Sequence, residues 1–288
     1  MLLTMEQQCL RLMGKPLRRD VSVAKLKAGL WMTYAIELSG SLQEFVATIE
    51  STGTRSGLAR KWLSGDVRPT RQSAQAFDRK KPGALWVFDL PLADLLDTRP
   101  ITAGAIDRLM APFASSIPFS RWWFPGDDQL LQQRTVPDAV LPGDTNGLYS
   151  RGDIYGLIGI VAVIRQSENL GKEGGHVLAC ANAYRILPSV YRTKWLREHA
   201  ALLEECLERL RAKRMYSYMM FDVDWEVIRS QTDDPTFTTQ RRLRARDPLT
   251  GRYCEPEDPI LVSQIVRGAE VKRRLKQRAE WKARKLRR

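Results

Sequence analysis

Trp62-Leu63-Ser64-Gly65-Asp66-Val67-Arg68-Pro69-Thr70 is the stretch whose reading decides the fold. Gly65 is placed to end one helix, because glycine adopts the left-handed conformation that closes a helix without a Cβ penalty. Pro69 cannot continue a helix, and Thr70 is a residue type that caps the next one. The stretch therefore predicts a helix, a tight turn and a second helix. Upstream, Thr54 is a candidate cap for the first of these, with Leu58, Ala59, Trp62 and Leu63 as its apolar side. Downstream, the second helix would run from Thr70 to about Arg79 and stop at Lys81-Pro82-Gly83. Between Arg55 and Lys81 there are eight basic residues and two acids. Two short basic helices around a turn are a common way for a small domain to meet nucleic acid.

Working outward, Val21–Leu38 has helical periodicity, with Leu26, Leu30, Tyr34 and Leu38 along one side. Ser41 stands three residues before Glu44, the spacing of a capping box, and predicts a short helix over Leu42–Ile49. Leu85–Leu96 is apolar and should pack back on this bundle. Residues 112–153 are rich in proline and glycine and enclose Ser120-Arg121-Trp122-Trp123-Phe124. Such a span either hides short helices or forms a functional loop, and its aromatic cluster is either a buried anchor or a contact surface. Asp153–Arg165 and His176–Leu187 are expected to be core helices. Thr193–Arg214 is expected to be one long helix, with Leu196, Ala200, Leu203, Leu207 and Leu210 on its apolar side, and Asp233-Asp234-Pro235 ends the element after it. A last helix is expected from about Pro259 to the C-terminus.

The expected fold class is mainly α: an N-terminal helix-turn-helix-like bundle, a helical body and a basic C-terminal helix. In residue numbers the expected parts are 1–98, 99–240 and 241–288. Charge follows the same division. The chain carries a net +13 over 288 residues, but 99–240 is close to neutral, while 267–288 holds eleven basic residues against two acids. Excess concentrated at two places points to two contact surfaces for a polyanion. In the tail, Lys272, Arg273, Arg274, Lys276 and Arg278 are the expected phosphate contacts. Nothing there suggests base readout, and the apolar stripe is too thin for a membrane surface.

The four cysteines form no C-x-x-C pair and only two histidines are present, which argues against structural zinc and for reduced thiols. No secretory signal or membrane span is read, so a soluble cytoplasmic protein is expected. One acidic cluster has a catalytic outline, Asp222, Asp224 and Glu226 in Met219–Glu226. On a strand the three would point one way and could hold Mg²⁺. An apolar run ending in D-x-D resembles archaeo-eukaryotic-type primases and plasmid replicases, but their downstream catalytic histidine has no counterpart after His199. The preferred reading is a helix, with Met219, Met220, Val223 and Val227 inward and Asp222 and Glu226 outward.

From Leu42 to Thr70 the chain resembles the lambda-repressor-like (Xre-type) helix-turn-helix family. Trp62, Gly65, Pro69 and Thr70 match its W-x-x-G-x-x-x-P-[ST] ending, Gln43 matches the Gln that opens its second helix, and Val46-Ala47 stands for its Leu-Ala pair. The resemblance implies that Gln43 touches the nucleic-acid backbone and that Thr54, Arg55 and Ser56 lie at the groove-facing start of a recognition helix. The spacing from Ala47 to Trp62 is longer than in the family, and Leu58 takes a place that is usually polar. Contact with DNA, and packing or protein contact by a degenerate element, therefore both remain open. The W-L-x-G-x-x-x-P-T segment with Pro82-Gly83-Ala84-Leu85-Trp86 is also similar to proteobacterial proteins of mobile elements and phage-defence loci.

These readings converge on a non-enzymatic nucleic-acid-binding protein, a DNA-binding regulator or an accessory subunit of a mobile-element or defence complex. Arg60, Lys61, Arg68 and Arg71 join the residues above as candidate contacts. DNA or RNA is the expected partner, with a protein partner or a second copy held by the body, and no cofactor is called for. A sequence-nonspecific ribonucleoprotein subunit, or a Mg-dependent primase- or nuclease-like enzyme at Asp222 and Asp224, is the alternative.

Overall fold

The structure, a computed structural model, describes residues 21–51, 57–64, 66–113, 142–170, 173–212, 221–239, 245–246, 253–254 and 261–263. It is mainly helical. The N-terminal part holds α1 (Val21–Ser39), α2 (Leu42–Ser51), α3 (Leu58–Leu63), α4 (Arg71–Asp78), α5 (Leu85–Asp89) and α6 (Leu92–Leu96). The body holds α7 (Ala103–Met110), which runs into a 3₁₀ turn at Ala111–Phe113, then α8 (Pro142–Arg151), α9 (Ile154–Leu170), α10 (Glu173–Val190), α11 (Lys194–Arg197), α12 (Ala200–Ala212) and α13 (Trp225–Asp233). Among the described residues very short strands accompany them: β1 (Phe221–Val223), β2 (Ala245–Arg246), β3 (Tyr253–Cys254) and β4 (Leu261–Ser263).

The centre of the N-terminal part is Trp31. Its indole is fully buried and meets Phe45 of α2, Trp62 of α3, Phe77 of α4 and Phe88 of α5 edge to face, at centroid distances of 5.7–6.3 Å. Edge-to-face packing suits the ring quadrupoles and lets one side chain tie five helices together. The inward side of α1 thus contains Val23, Leu26, Leu30, Trp31 and Ala35, while Leu38, expected inside, is 37% exposed. Ser41 accepts from the Glu44 N–H at 3.1 Å, so half of the expected capping box is present. The Glu44 carboxylate lies 3.6 Å from Lys81. The apolar Leu85–Leu96 stretch does pack back on the bundle, as α5 and α6 broken at Leu90-Pro91.

No break in the core separates residue 98 from residue 99. One buried cluster runs from Val23 through Leu96 to Leu157, Ile186, Leu203 and Ile228. At this seam Trp86 of α5 donates its indole N–H to the Tyr34 hydroxyl at 3.2 Å, and both rings meet Trp195 of α11 edge to face. In the body α9 and α10 lie against each other, with α8 beside both. Gly156 allows the approach of α8, since a Cβ there would fall 2.5 Å from the Leu148 carbonyl oxygen. Arg151-Gly152-Asp153 makes the α8–α9 corner. Gly152 takes φ 64°, Arg151 forks onto Asp153, and Asp153 accepts from the Gly156 N–H at 2.7 Å. The proline- and glycine-rich span does hide helical structure at both ends, in the 3₁₀ turn and α8. Trp122, Trp123 and Phe124 lie outside the described residues.

Three expectations need correction. The long helix over Thr193–Arg214 is broken into α11 and α12 at Glu198-His199. The reason is a specific side-chain seat. The His199 ring lies against Gly29 of α1, where a Cβ would come within 2.5 Å of it, and His199 Nε2 is 2.8 Å from the Thr33 hydroxyl. The helix expected from Pro259 does not start there, because Leu261–Ser263 is a strand paired antiparallel with Phe221–Val223, Asp222 opposite Val262. That pairing also replaces the helix expected over Met219–Glu226, since Phe221–Val223 is extended and α13 begins only at Trp225. Residues 264–288, with Lys272, Arg273, Arg274, Lys276 and Arg278, lie outside the described residues.

The His199 seat should be visible in the pH dependence of stability. Burial pushes its pKa below the ordinary 6.5, against smaller raising contributions from the Gly29 backbone and Glu198. On acidification the unfolded chain takes up the proton first. The folded state therefore loses stability as pH falls below about 6.5, down to the lowered folded value, and this group causes no further loss below it. His199→Gln should remove that portion of the curve. Urea midpoints between pH 7.5 and 5 that shift in parallel for the two proteins would refute this role.

Candidate nucleic-acid interface

The basic segment is built around two aromatic anchors. Trp62 is 2% exposed and Phe77 is fully buried, so α3 and α4 each turn one side to Trp31 and leave their polar side in solvent. The turn between them is closely tied. The Val67 N–H reaches back to the Lys61 carbonyl at 3.1 Å, the Ser64 N–H donates to the Arg60 carbonyl, and the Ser64 hydroxyl donates to Asp66 at 2.7 Å. Pro69 is buried and Thr70 caps α4 as expected, its hydroxyl accepting from the Ser73 N–H at 3.2 Å. At the far end Asp78 accepts from the N–H groups of Gly83 and Leu85, both at 2.9 Å, and so shapes the turn in which Gly83 takes φ 104°. The two acids of the segment, Asp66 and Asp78, thus hold turns in place.

The cations divide into two groups. Arg71 is committed: its guanidinium forks onto Asp89 of α5 at 2.8 and 2.7 Å, which raises its pKa through the hydrogen bonds and the charge. Lys81 pairs with Glu44. By contrast Arg60, Lys61, Arg68, Arg79 and Lys80 are exposed, and among the described residues no carboxylate lies within ion-pair distance of any of them. The sequence alone does not single out Arg79 and Lys80 as contacts, although the charge run contains them. Their exposure follows from position, because they stand just past the end of α4 in a turn whose inward contact is Phe77.

The remaining candidates fall differently. Gln43 is exposed at the start of α2. Thr54, Arg55 and Ser56 lie outside the described residues, as does Gly65. The helix they were expected to start begins at Leu58 instead, with Gly57 at its N-cap in the left-handed region, φ 79°. α3 is therefore a six-residue helix. Arg60, Lys61 and Arg68 precede α4, on α3 and the tied turn, and Arg79 and Lys80 follow it.

The three acidic residues are divided between a strand and a helix start. Asp224 is the N-cap of α13 and accepts from the N–H groups of Glu226 and Val227, both at 3.1 Å, and Glu226 is exposed in the first turn of that helix. The strand is Phe221–Val223 and Glu226 is already in α13, so Asp222, Asp224 and Glu226 do not lie along one strand. Among the described residues no group of three or more His, Cys, Asp or Glu is arranged to hold a metal ion, and no helix is long and apolar enough to cross a membrane. Asp224→Ala should cost about 1 kcal/mol through the lost cap, with Asp224→Asn nearly neutral. Thermal unfolding checks this, and an unchanged midpoint in the alanine variant would remove the capping role.

The body contributes a buried polar chain that the sequence does not announce. Arg165 is fully buried, with Nη1 3.0 Å from Glu168 Oε2 and Nη2 bonded to the Arg99 carbonyl. Glu168 Oε1 lies 3.7 Å from His176 Nε2, and His176 Nδ1 lies 3.8 Å from Cys180 Sγ. The order Cys–His–Glu has the outline of a thiol nucleophile, but the chemistry opposes it. Burial pushes the Cys180 thiol far up, so the thiolate that would attack is not formed. The chain is a buried structural network.

Comparison with protein-family models, with curated proteins and with solved structures finds no match to this chain. Its function is therefore argued from the residues themselves.

Proposed function

We propose that the chain is a non-enzymatic nucleic-acid-binding protein, acting as a DNA-binding regulator or as an accessory subunit of a larger nucleic-acid complex. The observation that carries this reading is the set of five exposed cations at Arg60, Lys61, Arg68, Arg79 and Lys80 that have no carboxylate partner among the described residues, on a surface where neighbouring Arg71 and Lys81 are neutralised. Like charges gathered without counter-charges raise one another's electrostatic energy, and a polyanion relieves this while releasing its own counterions. The eleven basic residues of 267–288 add a second, larger electrostatic contribution. β4 ends at Ser263, where it is held against Phe221, so that charge starts a few residues from a fixed point on the body.

The test is a titration of the full chain on duplex DNA, single-stranded DNA and RNA over a salt series. It is repeated with Arg60→Gln/Lys61→Gln/Arg68→Gln and with Lys272→Gln/Arg273→Gln/Arg274→Gln/Lys276→Gln/Arg278→Gln. Binding should weaken steeply with salt, and each variant should flatten the slope of log K against log salt by about 0.9 for every duplex phosphate it no longer neutralises. Absence of binding to all three nucleic acids at low salt would sink the reading.

A further inference from the structure

We infer that the surface around α4 is a seat for the backbone of double-stranded nucleic acid, set astride one groove, and that it does not read base edges. This rests on the nucleic-acid reading above and narrows it to one class of substrate. Arg60, Lys61 and Arg68 form one cluster because the Val67–Lys61 backbone bond folds the turn back on α3. Arg79 and Lys80 form the other. Between them stands the eight-residue helix α4, fixed at one end by the Thr70 cap and at the other by the Asp78 turn. Eight residues of α-helix span about 12 Å at 1.5 Å per residue. The major groove of a duplex is about 12 Å wide, so long side chains at the two ends of a helix of that length can reach the phosphate rows on both sides of it.

Among its described residues the same surface offers less of what the other modes of recognition use. Single-stranded nucleic acid is held largely by bases stacked on exposed aromatic rings. In residues 57–81 the aromatic side chains are Trp62 and Phe77, and both are buried in the Trp31 cluster. The exposed apolar residues beside the cations are Leu63 and Val67, which offer no ring. The arginine on α4 itself is Arg71, and its planar fork, which could read a guanine edge, is closed on Asp89, while Arg60, Arg68 and Arg79 stand off α4 on either side of it. The helix preceding the turn has six residues, about 9 Å, too short to lie along a groove and present successive side chains to successive bases. Phosphate contacts position a protein without carrying sequence information.

The probes are two 20-base-pair DNA duplexes of unrelated sequence and their separated strands. The proteins are the full chain, Arg60→Gln/Lys61→Gln/Arg68→Gln, and Arg79→Gln/Lys80→Gln, with circular dichroism to show that the exposed substitutions leave the fold intact. The basic tail is common to all three and cancels from the comparison. The full chain should bind the two duplexes within about threefold of each other and either duplex about tenfold more tightly than its strands. Removing either cluster should collapse that duplex-over-strand ratio and lower the salt slope by about 0.9 for each phosphate left without its cation. Strands bound as tightly as duplex, duplexes differing by more than about tenfold, or a ratio unchanged when one cluster is removed would each overturn the inference while leaving nucleic-acid binding standing. No binding to any probe would overturn both.

Discussion

Trp31→Ala is expected to destabilise the protein by about 3–5 kcal/mol, the range for truncating a fully buried tryptophan. The upper part of that range is favoured by the surroundings. Four other aromatic rings pack edge to face on this one indole, and such pairs add about 0.5–1.5 kcal/mol each beyond the area they bury. With α2, α3, α4 and α5 all leaning on Trp31, the cavity cannot close without moving a helix. A small domain has about 5–15 kcal/mol to lose, so the variant should show a much lower urea midpoint and, under the proposed function, weakened nucleic-acid binding, since both cation clusters are held by helices in this cluster. Trp31→Phe provides the control. The Trp31 indole N–H is buried with no hydrogen-bond partner among the described residues, which itself costs about 1–3 kcal/mol. Phenylalanine keeps a ring and removes that penalty, so its loss should stay near about 1–2 kcal/mol, small beside that of the alanine variant. Equal losses in the two variants would show that the aromatic cluster is not what organises these helices.

Trp31 also shows where the sequence is and is not legible. The helix containing it is readable, because apolar residues recur at helical spacing from Val21 onward. Its inward side is harder: periodicity assigns Leu38 to it and passes over Trp31. α1 is covered both by the other N-terminal helices and by α11 and α12, and a helix buried on two sides loses the one-sided pattern on which such readings depend. Local signals do better. Thr70 caps α4, Ser41 caps α2 and Asp233-Asp234-Pro235 ends α13, because caps depend on residues three or four apart. The break at His199 is illegible for the opposite reason, since its cause is Gly29, far away in the chain. The same holds for β4, whose partner strand precedes it by some forty residues. In the interface the charge run is visible at once. Which cations are spent on carboxylates is not, because Asp89 and Glu44 lie outside the run and reach Arg71 and Lys81 only through folding.

Glu168→Ala is expected to cost about 3–5 kcal/mol, the usual penalty for leaving one partner of a buried ion pair without the other. Arg165 has a side chain with no exposure and Glu168 one with 4%. Burial pushes the Arg165 pKa down, and the charges of Glu168 and Asp97 act against that shift. Among the described residues its Nε has no hydrogen-bond partner, which leaves little to compensate when the carboxylate is removed. Glu168→Gln should recover only part of the loss, since it keeps an acceptor but not the charge. The double variant Arg165→Met/Glu168→Leu should be far more stable than Glu168→Ala, because it removes both charges from a site that is otherwise closely packed, and replacements of that kind are often neutral. Urea unfolding of the unaltered chain and these three variants measures the differences. A double variant as unstable as Glu168→Ala would show that the pair contributes geometry, through the Arg99 carbonyl and the His176 ring, and that the uncompensated charge is the smaller part of the cost.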